Sequence, residues 1–229
     1  ATADGGDYLE MVRLQMAKAG LPPGYLAVSA LPQGLALLPP PPVAGSDAEK
    51  RDAEANAATL ANADAARRAM AVADANSQFP AVTQTFTCAL GFEVTESATP
   101  TLYRLMRRTL ADFALATMPV KQHYQRPRPF MVNMQPSCVP DDEPRLRKDG
   151  SYPSGHSAYG FGWAMVLASA APDRADALLR RGIEYGTSRE VCNVHWRSDV
   201  EQGRVIASAV FARLQGEAEY RRDVETARA

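Results

Sequence analysis

The apolar residues of this chain recur at helical spacing, and nowhere do they alternate with polar residues for long enough to form a strand. Thr99 and Pro100 mark a helix start, and the apolar residues that follow share one helical face: Leu102, Leu105, Met106, Leu110 and Phe113. Further helical patterns cover residues 157–171, 173–185 and 200–214. These patterns predict an all-α protein, a bundle of helices joined by loops that Pro and Gly mark.

A chain of 229 residues is long enough for one sizeable core and short for two. We therefore expect a single domain over residues 1–229, with an N-terminal arm over 1–45 and a helical core over 46–229. The arm contains the run LALLPPPP at residues 35–42, which we predict to be extended because its prolines fix the backbone and remove donors. Ser46 and Glu49 form a capping-box pattern, which predicts a long helix reaching about Asn76.

The composition excludes several partner classes. A formal net charge of -1 gives no overall attraction to nucleic acid or to anionic lipid, so any affinity for anions must be local. The best candidate for a membrane span, residues 161–171, is far shorter than the roughly 18 apolar residues that a span needs, so we interpret it as a core helix. The first residues are small and polar, and we expect a secretory signal to be either absent or already removed.

The three cysteines, Cys88, Cys138 and Cys192, lack zinc-binding spacing and are too few for a disulfide scaffold. If the protein is exported, the favoured pair is Cys138 with Cys192, since both flank segments that are argued below to converge on one site. Three reduced, buried thiols are the alternative.

The first of three polar clusters reads KQHYQRPRP and begins at Lys121. Its prolines force the residues before them out of the helical region, so the helix that carries Lys121 must end near them. Arg126 and Arg128 then alternate on an extended stretch, and only one of them can face the same pocket as Lys121. A basic run of this kind is also typical of a solvated surface.

The second cluster reads GSYPSGHS over residues 150–157, directly before an apolar helix. Ser154, Gly155 and His156 bring a hydroxyl, free backbone amides and the positive end of a helix dipole to one place, which favours an anion site. The plainer interpretation makes Ser154 an N-cap and His156 a capping or packing residue.

The third cluster reads SREVCNVHWRSD over residues 188–199 and contains Arg189. His195 and Asp199 are four residues apart, which would place them on one helical face. The carboxylate can then hold the proton of one imidazole nitrogen and leave the lone pair of the other free, as a nucleophilic histidine requires. A surface His–Asp pair is the alternative.

Taken together and in this order, the three clusters resemble the type 2 phosphatidic acid phosphatase superfamily. The shared pattern is Lys, six residues, Arg-Pro; then Pro-Ser-Gly-His; then Ser-Arg, five residues, His, three residues, Asp. The LALLPPPP lead-in, the GSYPSGH form and the VCNVHWRSDV context are similar to class A bacterial non-specific acid phosphatases in particular. Asp149 and Ser157 stand where those proteins more often have Asn and Thr, and we assign neither a part in the chemistry.

The resemblance implies a single-domain helical bundle of the phosphatase and haloperoxidase type. It also implies a metal-independent acid phosphatase without cofactor, which hydrolyses phosphate monoesters with broad specificity through a phosphohistidine and can transfer phosphate to other alcohols. The catalytic residues would be the nucleophile His195, the leaving-group acid His156, and Asp199. The phosphoryl group would be bound by Lys121, Arg128, Ser154, Gly155 and Arg189. Because one histidine must start neutral and the other charged, a bell-shaped pH profile follows.

Further expectations come from the same resemblance: inorganic phosphate or vanadate as ligands, a homodimer, and a periplasmic or secreted location. His123 matches no motif position and is expected to be structural or on the surface. A vanadate-dependent haloperoxidase is the alternative enzyme, because it would hold vanadate in the same site. A membrane lipid phosphatase of the same superfamily is disfavoured, because the sequence has no membrane-spanning segment. A non-catalytic anion-binding module is the remaining alternative, but it does not explain why both His195 and His156 are present together with Asp199.

Overall fold

The structure is a computed structural model that describes residues 3–228. Within these residues the chain forms helices and no strands, which confirms the all-α prediction. The helices in chain order are α1 (Ala3–Lys18), α2 (Gly34–Leu37), α3 (Asp47–Asn62), α4 (Ala65–Asp74), α5 (Thr87–Leu90), α6 (Pro100–Tyr124), α7 (Pro129–Val132), α8 (Glu143–Leu146), α9 (Gly155–Ala170), α10 (Ala175–Val191), α11 (Arg197–Leu214) and α12 (Ala218–Arg228).

Helix α9 is the centre of the bundle and packs against α6, α10 and α11. It is apolar on all faces, as expected of a helix surrounded by others, and its Trp163 is fully buried. This helix contains residues 161–170, most of the run that was interpreted as a core helix. Of the helices within residues 3–228, none combines the length and the apolar character that crossing a membrane requires.

Two glycines allow α9 and α10 to approach each other closely. A Cβ atom on Gly182 would lie 2.5 Å from Cβ of Ala164, and one on Gly160 would overlap the ring of Tyr185. The two helices are successive and pack side by side, so the start of α9 lies near the end of α10. This close contact brings the second and third polar clusters to the same end of the bundle.

The proline-rich arm is extended only in part. The prediction of an extended run over residues 35–42 is wrong for the first residues, since Leu35 and Leu37 belong to the single turn α2. Proline restricts the residue before it, and Leu38 is extended accordingly, but residues further upstream are free to form a turn. The prolines lie outside any helix, and the Tyr152 hydroxyl donates a hydrogen bond to the carbonyl of Pro39. The arm is thereby attached to the loop that contains the second cluster.

The long helix predicted from Ser46 to about Asn76 is divided into α3 and α4. The Ser46 side chain caps α3 as predicted, accepting a hydrogen bond from Glu49 N at 3.2 Å. The division occurs because Asp64 caps a new helix and accepts from Arg67 N at 2.7 Å. The Ala-rich sequence on both sides of Asp64 concealed this second start.

Cys138 and Cys192 form a disulfide, and Cys88 is free and exposed. This confirms the favoured pairing. The bond joins the segment before α8 to the end of α10, and Cys138 N also donates to Cys192 O at 3.1 Å. Both segments border the cavity described next.

Candidate active site

A cavity of about 620 Å³ lies between the C-terminal half of α6, the start of α9 and the end of α10. Six of the eight predicted site residues line it: Lys121, Arg128, Gly155, His156, Arg189 and His195. Asp199 and Ser154 are fully buried and lie behind its wall. His123 is exposed on the last turn of α6, away from the cavity.

The first and second clusters meet through backbone contacts. Helix α6 ends at Tyr124, before the prolines, and its C-cap Gln125 adopts a left-handed conformation with φ 45°. Gly150 packs directly on this end, because a Cβ atom there would lie 2.6 Å from the Lys121 carbonyl oxygen. Ser151 N donates to Arg126 O at 2.8 Å. The loop before α9 is therefore fixed beside Lys121.

Arg128 is buried in the cavity wall and points toward the nucleophile candidate. Its Nη1 lies 3.0 Å from His195 Nε2 and donates to Val194 O at 3.0 Å. Burial first, and the charge of Arg189 in addition, lower the pKa of Arg128 to about 10. Arg126 points to the opposite side, as the alternation of an extended stretch predicted.

Arg189 is 2% exposed, and its Nε and Nη1 atoms have no hydrogen-bond partner within residues 3–228. Burying an unpaired guanidinium is costly unless an anion compensates it. Burial accordingly lowers the pKa of Arg189. A buried cation with free donors on a cavity wall is suited to binding an anion.

Lys121 completes a cluster of three cations. Burial lowers its pKa to about 8, while the Asp149 carboxylate opposes this shift. Asp149 Oδ2 lies 3.4 Å from Lys121 Nζ and 2.8 Å from Arg128 Nη2, so Asp149 contacts two of the three cations, which the sequence did not predict. Three cations against this one carboxylate leave a charge of about +2, which matches a phosphate dianion. The described residues contain no group of three or more His, Cys, Asp or Glu side chains arranged to hold a metal ion.

The hydrogen bonds of His195 define its tautomer. A guanidinium can only donate, so Nε2 accepts from Arg128 and carries the lone pair, and Nδ1 carries the proton. Nδ1 lies 3.4 Å from Asp199 Oδ2 and 3.3 Å from Ser151 Oγ. Burial, and then the charges of Arg128 and Lys121, hold the pKa of His195 well below its usual range. The ring is therefore neutral, with its lone pair on the side of the cations.

His195 and Asp199 are adjacent, although they do not share a helical face as predicted. Helix α11 begins at Arg197 with Trp196 as its N-cap, so His195 precedes the helix. Asp199 lies in the first turn and accepts a hydrogen bond from Trp196 N at 2.8 Å. This capping bond directs the carboxylate back along the chain toward the imidazole.

A buried polar network behind Asp199 escaped the sequence analysis. Asp199 Oδ1 accepts from Arg126 Nη1 at 2.6 Å, and Ser151 Oγ donates to Oδ2. Arg126 Nη2 also binds Asp52 Oδ2 at 2.8 Å. Ser151 lies inside the second cluster, so the motif itself could have indicated it. Asp52 is on the distant helix α3, and no motif near it indicates a role in the site.

His156 occupies the first turn of α9, as predicted, and lines the cavity. Its Nε2 lies 3.2 Å from the carbonyl oxygen of Ala75, which can only accept, so Nε2 carries a proton. Burial, and then the charge of Arg189, hold the pKa of His156 well below its usual range. A negative charge bound at Arg189 would oppose the second of these effects.

The Ser154 side chain faces the helix start rather than the cavity. Its Oγ accepts from Ser157 N at 3.2 Å and from Ser157 Oγ at 2.9 Å. This is the N-cap arrangement that the sequence left open as the plainer interpretation. Gly155, the next residue, lines the cavity.

Residues 108–216 match the PAP2 superfamily, and the chain belongs to that superfamily. Its curated relatives include an acid phosphatase of Zymomonas mobilis, 39% identical over 194 residues, which are 85% of this chain and 74% of the relative. A non-specific acid phosphatase of Salmonella typhimurium is 40% identical over 179 residues, 78% of this chain and 72% of the relative. One of Providencia stuartii is 35% identical over 221 residues, 92% of this chain and 89% of the relative. Within the superfamily the chain thus groups with the bacterial non-specific acid phosphatases, which confirms the resemblance of its motifs.

Proposed function

We propose that this protein is a metal-independent acid phosphatase that hydrolyses phosphate monoesters through a phosphohistidine at His195 Nε2. One observation carries the proposal: the lone pair of a neutral, buried His195 lies on a cavity wall formed with three cations. One of them, Arg189, has buried donors that find no partner among the described residues. The acid phosphatase relatives support the same activity.

The cations would bind the phosphoryl oxygens before the reaction begins. Arg189 brings two nitrogens, Nε and Nη1, that are unpaired in the described part of the chain, and Arg128 and Lys121 are held in place by backbone carbonyls. Arginine matches phosphate oxygens in a two-pronged way. Because these groups need not reorganise, they stabilise the charge of the transition state more than a solvent shell would.

In the first step, the Nε2 lone pair of His195 forms a bond to phosphorus and the ester P–O bond breaks. The leaving oxygen takes a proton from charged His156. Nδ1 of His195 keeps its proton, and Asp199 stabilises the positive charge that develops on the ring. In the second step, neutral His156 takes a proton from water, the oxygen attacks phosphorus, and the N–P bond breaks to release inorganic phosphate.

The charge of His156 would depend on substrate. Its pKa is low because the ring is buried and faces Arg189. A bound phosphoryl dianion offsets Arg189 and raises the pKa of His156, so the acid is protonated when there is a leaving group to receive the proton. In the charged ring, Nε2–H can keep its bond to Ala75 while Nδ1–H serves the leaving oxygen.

The remaining parts of the proposal follow from the family resemblance. Because a phosphoenzyme can be intercepted, alcohols other than water are expected to accept phosphate. A cavity of about 620 Å³ exceeds the size of a phosphate and favours varied leaving groups. A homodimer and export to an oxidising compartment are further proposals, and the Cys138–Cys192 disulfide suits the latter.

The test is to trap the intermediate. The protein is mixed with a labelled aryl phosphate in the presence of EDTA, quenched in alkaline denaturant that preserves the N–P bond, and digested to locate the label. The label is expected on His195, absent from His195→Ala and retained in the control His123→Ala. A label on another residue would overturn the nucleophile, and a large loss of activity in EDTA would overturn metal independence.

A further inference from the structure

The carboxylate of Asp149 lies inside the group of cations that would bind the phosphoryl oxygens. Its Oδ2 is 2.8 Å from Arg128 Nη2 and 3.4 Å from Lys121 Nζ. Asp149 also lines the cavity beside His195. A carboxylate oxygen is chemically similar to a phosphoryl oxygen as an acceptor, so both would use the same donors.

Arg128 has a partner for every nitrogen of its side chain. Nε donates to Leu146 O and Asp149 O, and Nη1 is shared between Val194 O and His195 Nε2. The remaining nitrogen, Nη2, donates to the Asp149 carboxylate. Nη2 carries two N–H groups, so a phosphoryl oxygen that takes the one pointing at Asp149 must displace that carboxylate.

The carboxylate can leave more easily than the cations can. The Asp149 side chain is 38% exposed, whereas those of Arg128 and Lys121 are 1% and 6% exposed. Backbone carbonyls hold both cations, including Gly150 O for Lys121. An exchange of partners would thus move Asp149 toward solvent and leave the cations in position.

We propose that Asp149 is an exchangeable internal counter-ion that competes with the phosphoryl group for Lys121 and Arg128. The inference rests on the proposed function and adds a determinant of its affinity. By competing, Asp149 weakens the binding of phosphate monoesters and of inorganic phosphate, and its return to the cations assists product release. A purely structural role for Asp149, holding the two cations in place, predicts the opposite sign for affinity.

The experiment measures the binding of inorganic phosphate to the full chain by titration calorimetry. Asp149→Asn keeps the shape and one acceptor oxygen but removes the charge. We expect its dissociation constant for phosphate to fall about tenfold or more, because a full charge a few ångströms from the ligand is removed. The inhibition constant of phosphate and the KM for an aryl phosphate should fall with it.

Asp142→Asn is the matched control. Asp142 lines the same cavity and pairs with Arg145 at 3.4 Å; its charge also acts on Arg189, but it forms no ion pair with Lys121, Arg128 or Arg189. The Asp142→Asn substitution removes the same charge, and we expect it to change the affinity for phosphate by less than about threefold. Asp149→Ser is the second variant, and thermal melts of all variants check that they fold.

The outcomes separate the two proposals. Suppose that the wild type binds phosphate and hydrolyses esters, and that both Asp149 variants bind phosphate equally well or more weakly. This result would overturn the counter-ion role of Asp149 but not the proposed phosphatase activity. An equal gain in Asp142→Asn also overturns it, because the effect would then be general to the cavity. A wild type that neither binds phosphate nor hydrolyses esters overturns both.

Discussion

Arg126 and Asp199 form a buried ion pair behind the cavity, with Arg126 Nη1 2.6 Å from Asp199 Oδ1. The other carboxylate oxygen, Oδ2, lies 3.4 Å from His195 Nδ1. Arg126 also binds Asp52 on α3, so charged groups run in contact from that helix to the proposed nucleophile. We therefore expect Arg126 to be a positioning residue, which acts on His195 through the orientation of Asp199.

Arg126→Gln is expected to lower kcat about 10- to 100-fold while changing the KM for an aryl phosphate little, since the residue orients Asp199 and does not line the cavity. The free energy of unfolding should also fall by about 3–5 kcal/mol, because two buried carboxylates lose their partner. Steady-state kinetics and denaturant melts measure both effects.

Two further variants control this prediction. Arg213→Gln changes an exposed arginine on α11 and should leave kcat unchanged. Arg126→Lys retains the charge and should restore part of kcat. A normal kcat in Arg126→Gln would contradict the positioning role.

His156→Ala tests the leaving-group acid. Alkyl phosphates have poor leaving groups that need a proton, so we expect their hydrolysis to slow about 10²- to 10⁴-fold, and that of activated aryl esters to slow less. Comparing kcat/KM for the two ester types in His156→Ala, with exposed His123→Ala as control, measures the difference. Equal losses would remove His156 from the acid role.

The basic limbs of the pH profiles of kcat/KM and kcat should lie at different pH. In the free enzyme the pKa of His156 lies well below its usual range, through burial and then the charge of Arg189. As the pH rises through this lowered pKa the acid loses its proton, so kcat/KM should decline in the acidic range. Bound phosphoryl charge raises the pKa, so the basic limb of kcat should lie at higher pH.

Initial rates over the full pH range with an aryl phosphate give both profiles. On the acidic side, the lowered pKa of His195 keeps its ring neutral, which preserves activity in acid. Basic limbs at the same pH for kcat and kcat/KM would contradict the coupling between phosphate binding and His156.

Removing the disulfide with Cys138→Ser and Cys192→Ala should lower the free energy of unfolding by about 2–4 kcal/mol, because the unfolded chain gains freedom. Cys88→Ser, which changes the exposed free thiol, is the matched control and should melt like the wild type. Denaturant melts of the wild type, the double variant and Cys88→Ser measure the free energies of unfolding. Identical midpoints and slopes would show that the bond contributes nothing to stability.

The sequence predicted the helices best where apolar residues mark a face. Helix α6 starts at Pro100 as expected, and α9 and α11 fall within three residues of their predicted bounds, whereas α10 continues past the predicted end at residue 185 to Val191. The separation of α3 from α4 was missed, because a single Asp64 in an Ala-rich run has little effect on helical periodicity. The turn α2 was missed because we assumed that the prolines restrict all the residues upstream in the run, whereas a proline restricts only the residue directly before it.

The candidate site was predictable where its residues belong to short motifs. The structure places six of the eight predicted residues on one cavity, and the exceptions have physical reasons. Ser154 turns to cap α9, and Asp199 stands behind His195. The contacts of Asp149 and Asp52 depend on how distant segments pack, and no local pattern in the sequence reports them.

The close approach of α9 and α10 restricts how this protein can be engineered. Replacing helical glycines by alanine is a common route to thermostability, because it reduces the entropy of the unfolded chain. At Gly160 or Gly182 the added methyl group would push the two helices apart. It would also separate His156, the proposed acid at the start of α9, from Arg189 at the end of α10. A heat-resistant version should keep both positions and use sites such as Gly6, where a methyl group meets open space.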